Sequence, residues 1–152
     1  MPLHNFGRVA PALWRAAQPD LDGFALLHSL PVIGIFKLNN DYVTVEQERR
    51  MTPIPVIDAH LSQLSVLFPK VDEVRELARK LNAQLIPGTS LVVHCTHGRD
   101  RTGLLIGAWR LLYQGWTIDA VRQEFESFGV TGFLKLIDHQ IIECLEEIAH
   151  GQ

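Results

Sequence analysis

Apolar runs alternate with amphipathic segments along most of the chain. Short runs rich in branched and aromatic residues predict strands at residues 13–16, 32–38, 54–57 and 91–94. Helical spacing predicts helices at residues 21–30, 71–85, 102–114 and 118–127, and a last helix with the apolar stripe Leu134, Ile137, Ile141, Leu145 and Ile148. Strands that are separated by helices are typical of an α/β fold. We therefore predict a central, mostly parallel sheet that is flanked by helices, with a C-terminal helical cluster.

Polar residues mark the expected ends of several helices. Asp20 and Thr117 can cap the helices that follow them, and Gly129 can end the helix that Thr117 begins. The run Thr44–Met51 is strongly charged, which predicts one or two helical turns with Glu46–Arg50 facing solvent.

The composition is that of one globular domain. The chain has 152 residues, of which 47% are apolar and 20% charged, so residues 1–152 are expected to fold as a single domain. The net charge of −3 argues against a general nucleic-acid partner. No apolar run approaches the ~18 residues of a membrane span, and Arg8 and Arg15 interrupt the N-terminal segment, so neither stable membrane insertion nor a secretory signal is expected. Two cysteines, Cys95 and Cys144, are too few for a disulfide framework, which favours a reducing, cytoplasmic compartment.

One ten-residue segment, HCTHGRDRTG at positions 94–103, joins a predicted strand to a predicted helix. In α/β sheets, ligands bind beyond the carboxyl ends of strands, and helix N-termini bind anions. Cys95 is placed at this junction, where the helix dipole and free backbone N–H groups favour a thiolate. Arg101 can hold an anion with a bidentate guanidinium, while Gly98 and Gly103 allow close approach of the backbone. The segment predicts a thiolate at the floor of a phosphate-binding cradle.

The same segment matches the signature His-Cys-(five residues)-Arg-Thr-Gly of the cysteine-dependent protein tyrosine phosphatase superfamily. Two further segments resemble small dual-specificity-like phosphatases of bacteria and fungi: WRAAQP at positions 14–19, and GWTIDAV at positions 115–121 with Glu124. In the first of these, Arg15 and Gln18 have either a supporting role or an ordinary surface role. The resemblance implies a tyrosine-phosphatase-like fold and hydrolysis of phosphate monoesters through a phosphocysteine intermediate, with no metal or other cofactor. The implied substrate is a phosphorylated protein or a small phosphate ester.

The resemblance also implies a role for each residue of the signature. Cys95 attacks the phosphoryl group, the hydroxyl of Thr102 supports the departing sulfur, and the ring of His94 orders the loop by hydrogen bonds. The non-bridging oxygens are bound by the side chain of Arg101 and by backbone N–H groups. The phosphate-binding loop consists of Thr96, His97, Gly98, Arg99, Asp100 and Arg101.

A general acid must protonate the leaving group, and the sequence leaves two aspartates as candidates. The family takes this residue from a loop upstream of the signature, and Asp58 has that position, 37 residues before Cys95 and just past a predicted strand. Asp100 is the alternative, because myotubularin-like and some bacterial phosphoinositide phosphatases carry an acid directly before the signature arginine. Asp72 is closer to the signature, but it lies in the first turn of a predicted helix, where aspartate is ordinary.

Other functions stay open at this point. A phosphoinositide phosphatase is the main alternative, because Arg99 and Asp100 precede the signature arginine, although Thr96 stands where lipid phosphatases also use a lysine. The Arg-Thr-Gly sequence argues against a rhodanese-type sulfurtransferase, and the intact signature argues against an inactive phosphate-binding module. Cys144 lies on an apolar helical stripe and is expected to pack in the core.

Overall fold

The computed structural model describes residues 3–128 and 135–151. The chain falls into two compact units. The first unit consists of Met1–Leu61 with Leu85–Gly98, and the second of Ser62–Gln84 with Arg99–Gln152. The predicted helix end at Gly129 and the predicted stripe residue Leu134 lie outside the described residues.

The first unit is built on a sheet. Its strands are β1 (Gly7–Ala10), β2 (Leu13–Ala16), β3 (Gly34–Lys37), β4 (Val56–Asp58) and β5 (Leu91–His94). They lie in the order β1-β2-β5-β3-β4, in which β1 is antiparallel to β2 and the other neighbours are parallel. Two helices, α1 (Leu21–Ser29) and α2 (Val45–Met51), follow β2 and β3. The mostly parallel sheet is therefore confirmed, while β1 is a strand that the sequence pattern does not predict.

The strand register brings the carboxyl ends of four strands together. Ala16 on β2 is paired with His94 on β5, His94 with Lys37 on β3, and Lys37 with Asp58 on β4. Because neighbouring strands lie about 4.8 Å apart, the backbone of Asp58 is about 10 Å from that of His94. Cys95 follows His94 directly, so Cys95 and Asp58 leave the sheet at the same end.

Apolar packing holds helix α1 against the sheet. Phe24 of α1 packs with Ile35 of β3 and Val92 of β5 in one buried cluster, and each such side chain stabilises the fold by about 1.5–3 kcal/mol. Asp20 caps α1 as predicted, since its carboxylate accepts a hydrogen bond from the N–H of Gly23 at 2.8 Å. Helix α1 thus helps to hold β3 and β5 in place, and β5 is the strand that leads into the signature segment.

Helix α2 begins with a capping box. The hydroxyl of Thr44 accepts a hydrogen bond from the N–H of Gln47, and the Gln47 side chain accepts one from the N–H of Thr44. The predicted helical turns are confirmed. The prediction that Glu46–Arg50 face solvent is wrong for Glu48, whose side chain is fully buried. The reason is that Glu48 contacts Lys37 on β3 and His94 on β5, which the sequence pattern does not reveal.

The second unit is a cluster of helices, as predicted for the C-terminal part. Its helices are α3 (Gln63–Leu67), α4 (Val71–Gln84), α5 (Asp100–Tyr113), α6 (Ile118–Ser127) and α7 (Lys135–His150). Helix α5 is buried over most of its length and packs against α4, α6 and α7. Thr117 caps α6 as predicted, and Glu124 of α6 accepts two hydrogen bonds from Arg110 of α5, at 2.8 and 2.7 Å. The short helix α3 is a further element that the pattern does not predict.

Candidate active site

The signature segment leaves β5 and enters α5, as predicted. Residues 95–98 form the end of the first unit, and Arg99 is the N-cap residue of α5 in the second unit. His97 is exposed, whereas Arg99 and Asp100 are partly buried.

The sulfur of Cys95 has a polar environment. Only 2% of the residue is exposed, and its Sγ accepts a hydrogen bond from the N–H of Gly98 at 3.2 Å. A hydrogen bond to the charged form of an acid favours that form. The Cys95 sulfur therefore has a backbone N–H aimed at it, which a cysteine that only fills space in a core would not need.

Three donors orient the loop that follows Cys95. The carbonyl of Thr96 accepts from the backbone N–H of Gln18 at 3.1 Å, and that of His97 from the side-chain amide of Asn5 at 2.7 Å. The carbonyl of Gly98 accepts from the guanidinium of Arg15 at 3.1 Å. In a trans peptide the C=O and N–H groups point in opposite directions. The N–H groups of residues 97–99 therefore point away from these donors, and the N–H of residue 98 already reaches the Cys95 sulfur.

These contacts show where the family-like segment at positions 14–19 lies. Arg15 is buried and its guanidinium contacts the Gly98 carbonyl, so it is not an ordinary surface residue. Gln18 contacts the loop through its backbone N–H, and its side-chain amide donates to Glu48 at 2.7 Å.

Gly98 occupies a backbone position that requires glycine. Its φ is +70°, and a Cβ at this position would lie 2.7 Å from the Ala16 carbonyl carbon and 2.7 Å from the Ala17 nitrogen. The loop thus lies directly on the backbone that continues from β2, and a side chain at position 98 would force the two apart.

Lys37, Glu48 and His94 form a buried cluster, and His94 directly precedes Cys95 in the chain. One carboxylate oxygen of Glu48 is 3.0 Å from Nζ of Lys37, and the other is 2.8 Å from Nε2 of His94. Nδ1 of His94 is 3.2 Å from the carbonyl oxygen of Cys95. Burial alone would raise the pKa of Glu48, but the hydrogen bond and charge of His94, the Gln18 amide and the charge of Lys37 lower it to about 2. The contact of His94 with the Cys95 carbonyl is consistent with the loop-ordering role that the resemblance implies, and Glu48 and Lys37 are partners that sequence reasoning missed.

Two aspartates of the first unit lie at or just past the carboxyl ends of strands β4 and β3. Asp58 is exposed at the end of β4, and its Oδ1 accepts a hydrogen bond from the N–H of His60 at 3.2 Å. Asp41 was missed by sequence reasoning, although its carboxylate accepts a hydrogen bond from the hydroxyl of Thr96, at 3.2 and 3.3 Å to its two oxygens. One signal could have found Asp41: it follows a buried strand at the end of the sheet where ligands bind.

The remaining signature residues belong to the second unit. Arg101 and Thr102 are buried in the first turn of α5. Asp138 of α7 lies near Arg99 and Asp100: burial raises the pKa of Asp138, the charge of Asp100 raises it further, and Arg99 opposes the shift. Asp100 therefore has a second acidic side chain, that of Asp138, in its surroundings.

Cys144 is placed as the sequence predicts. It is buried on α7, and burial together with the charge of Glu147 raises its pKa to about 11, against the smaller effect of Arg75. A thiol with that pKa is almost entirely protonated at neutral pH, so it is unreactive.

Neither a metal centre nor a membrane span is found in the described part of the chain. Within residues 3–128 and 135–151, no three His, Cys, Asp or Glu side chains are grouped so that they could hold a metal ion. Over the same residues, no helix combines the length and the apolar character that crossing a membrane requires.

Comparisons with known proteins agree on one family. The model of a tyrosine phosphatase family matches residues 1–148. The dual specificity protein phosphatase TpbA of Pseudomonas aeruginosa is 33% identical over 132 residues, which cover 84% of this chain and 56% of TpbA. The inositol diphosphatase SIW14 of Saccharomyces cerevisiae is 26% identical over 156 residues, which cover 97% of this chain and 53% of SIW14. The chain thus spans about half the length of these curated relatives.

A solved structure supports the same fold. A crystal structure of a P. aeruginosa TpbA variant in complex with pTyr superimposes with a TM-score of 0.74 at 23% identity, covering 97% of this chain and 91% of that one. The tyrosine-phosphatase-like fold that the signature implies is therefore confirmed.

Proposed function

Because this chain belongs to the tyrosine phosphatase family, we propose that it hydrolyses phosphate monoesters through a phosphocysteine intermediate on Cys95. The observation that carries the proposal is the Cys95 sulfur, which lies just past β5 and accepts the N–H of Gly98. A donor aimed at the sulfur stabilises the thiolate, which is the nucleophilic form of cysteine. The nucleophile must stay reduced, which fits a reducing, cytoplasmic compartment.

The proposed reaction has two displacements. The Cys95 thiolate attacks phosphorus as the bond to the leaving-group oxygen breaks, and water then releases inorganic phosphate from the phosphocysteine. The Arg101 guanidinium and the loop N–H groups hold the non-bridging oxygens, and they bind more strongly as negative charge builds on them. The hydroxyl of Thr102 supports the sulfur when it departs.

We propose Asp58 as the general acid. It leaves the sheet at the same end as Cys95, and its exposed carboxylate can exchange protons with a leaving group and with water. Asp41 is the second candidate, because its contact with the Thr96 hydroxyl places a carboxylate beside the loop. Asp100 is the candidate within the loop itself.

The proposed substrate is a phosphorylated protein. The similarity to a dual specificity protein phosphatase and to a structure that binds pTyr supports this choice. An inositol phosphate is the second candidate, supported by the similarity to an inositol diphosphatase and by the basic residue Arg99 next to Asp100 in the loop. The proposed reaction requires no metal or other cofactor.

Turnover of an aryl phosphate tests the proposed reaction. We expect Cys95→Ser to lose turnover by several orders of magnitude while vanadate still binds, because Arg101 and the backbone that hold the anion are unchanged. Cys144→Ser is the matched control, and it should keep turnover. Substantial hydrolysis by Cys95→Ser would contradict the proposal, whereas a wild-type protein that binds vanadate without turnover would be an inactive phosphate-binding module.

A side-by-side substrate panel then tests the substrate class. We expect the highest kcat/KM on a phosphotyrosine or phosphoserine peptide. A higher kcat/KM on an inositol diphosphate or a phosphoinositide would replace the protein substrate by the second candidate.

A further inference from the structure

A cavity of about 180 Å³ lies between helices α6 and α7 of the second unit. Its lining combines two apolar side chains, two acidic ones, an arginine and a histidine: Phe125, Ile142, Glu126, Asp138, Arg122 and His139. A cavity needs about 10–15 Å³ to hold one water molecule. This one can therefore hold several groups of that size, such as an extended side chain.

Among the polar lining residues, Asp138 is buried, whereas Arg122, Glu126 and His139 are exposed. Only 9% of Asp138 is exposed, and its Oδ2 has no hydrogen-bond partner among the described residues. A buried, ionised carboxylate is destabilising unless a hydrogen-bond donor or a cation lies beside it. The side chain of Asp138 is therefore suited to a positively charged group that enters the cavity.

The two basic lining residues lie close to other acids of α7. Nη1 of Arg122 is 3.6 Å from a carboxylate oxygen of Glu146, and Nε2 of His139 is 3.9 Å from one of Glu143. These pairs do not include Asp138. The basic residues of the lining thus leave room for a cation from a ligand.

The charges around Asp138 also favour a cation. Burial raises the pKa of Asp138, the charges of Asp100 and Glu126 raise it further, and the charge of Arg99 opposes them. The effect of Asp100 is larger than that of Arg99, so the neighbouring charges make the potential at Asp138 negative. A negative potential attracts a positively charged ligand.

Asp100 links the cavity to the signature segment. It directly precedes Arg101 in the first turn of α5, and its charge acts on Asp138 of α7. All three residues belong to the second unit. Because Arg101 is proposed to hold the phosphate, a residue close to the phosphorylated one in a substrate chain can reach Asp138.

We propose that this cavity binds the side chain of a lysine that lies close to the phosphorylated residue of the substrate, with the ammonium at Asp138 and the methylene groups against Phe125 and Ile142. Lysine combines a flexible apolar stem with three N–H donors on one positive charge, which matches the apolar and acidic parts of the lining. The inference rests on the proposed protein phosphatase function and narrows its substrate class to phosphopeptides with a nearby lysine.

Pairs of phosphotyrosine peptides test this preference. In each pair, one position within three residues of the phosphotyrosine carries lysine in one peptide and norleucine in the other, since norleucine keeps the four side-chain carbons and lacks the ammonium. We expect kcat/KM to be about tenfold higher for the lysine peptide at one or more positions, as a hydrogen bond between charged groups provides. Equal kcat/KM in every pair would overturn the proposal.

Asp138→Asn tests whether Asp138 is the residue that recognises lysine. The substitution removes a buried charge, so we expect the variant to fold. The ratio of kcat/KM between the lysine and norleucine peptides should fall to about one. Asp119→Asn is the matched control, because it replaces an exposed carboxylate in the first turn of α6 and should keep the wild-type ratio. A lysine preference that persists in Asp138→Asn would refute the assignment.

A binding measurement separates this inference from the proposed reaction. If the protein hydrolyses an aryl phosphate, the peptide pairs decide. If it does not, the proposed reaction fails, and n-butylammonium is titrated into the protein while the methyl signals of Ile142 are followed by NMR, with 1-butanol as the neutral control. We expect n-butylammonium to shift these signals in the wild type and not in Asp138→Asn. Equal shifts in both proteins, or none in either, would then overturn the cavity assignment.

Discussion

Gly98→Ala tests whether the loop depends on its contact with the end of β2. The new Cβ would lie 2.7 Å from backbone atoms of Ala16 and Ala17, whereas ordinary van der Waals contacts begin at 3.4 Å. Those backbone atoms cannot easily retreat, because Ala16 is paired with His94 in the sheet. The loop must therefore move by most of an ångström, which breaks the N–H contact to the Cys95 sulfur.

The cost of this change has two parts. A non-glycine residue at positive φ costs about 1–2 kcal/mol, and forcing a side chain into a packed site costs about 1–3 kcal/mol more. We expect Gly98→Ala to lose about 2–5 kcal/mol of unfolding free energy. Since a displacement of about 1 Å near reacting groups can reduce a rate by about 10²-fold, kcat on an aryl phosphate should fall at least that far.

Gly88→Ala separates the conformational cost of a positive φ from the steric cost of the new side chain. Gly88 also has positive φ, +86°, but no atom lies within 4 Å of the place where a Cβ would be. This variant should lose only the conformational part, about 1–2 kcal/mol, and should keep its kcat. Unfolding by urea and turnover of an aryl phosphate are measured for both variants. A Gly98→Ala variant that is no less stable than Gly88→Ala and turns over like the wild type would show that the loop does not depend on this contact.

Three further predictions follow from the site. If Asp58 is the general acid, Asp58→Asn should slow the hydrolysis of alkyl phosphates by about 10²–10⁴-fold and barely slow that of nitrophenyl phosphate. It should also flatten the alkaline limb of the pH profile of kcat/KM. The same pattern in Asp100→Asn instead would assign the general acid to Asp100 in the loop. Mild peroxide should abolish the proposed turnover by oxidising Cys95, and thiol should restore it, without a Cys95–Cys144 disulfide. Finding that disulfide by mass spectrometry would contradict the burial of Cys144. Because the pKa of Asp138 is raised, its contribution to stability is present at low pH and is lost as pH rises through the raised value. Asp138→Asn should therefore be more stable than the wild type at neutral pH and not at acid pH, as measured by thermal unfolding. Equal gains at both pH values would argue against a raised pKa of Asp138.

Regular elements with strong patterns were predictable from the sequence. The strand at 91–94 and the helix at 118–127 have the predicted bounds, because continuous apolar runs and capping residues are local signals. Strand β1 was not predictable, because its residues are only partly buried. It is held by pairing with β2 and by the stacking of Phe6 on Trp14, with ring centroids 4.9 Å apart. Such contacts join residues that no local pattern connects.

The candidate site was predictable only in part, for the same reason. The candidate residues of the signature segment could be identified from the sequence, because the strand, the cysteine, the arginine and the helix follow one another in the chain. Glu48, in contrast, lies in a segment whose composition is typical of a surface helix, and its partners Lys37 and His94 come from two different strands. Asp41 likewise reaches the loop through a contact with Thr96, 55 residues away in the chain. Charged residues that act through tertiary pairing need the fold before their roles can be seen.

Trapping the covalent intermediate tests the role of Cys95 most directly. The protein is mixed with an aryl phosphate, quenched in alkaline denaturant during turnover and digested, and the peptide that contains Cys95 is analysed by mass spectrometry. We expect one phosphoryl group on Cys95, and no such adduct in Cys95→Ser. Turnover without any phosphate on this peptide, or with phosphate bound to another residue, would contradict the phosphocysteine mechanism.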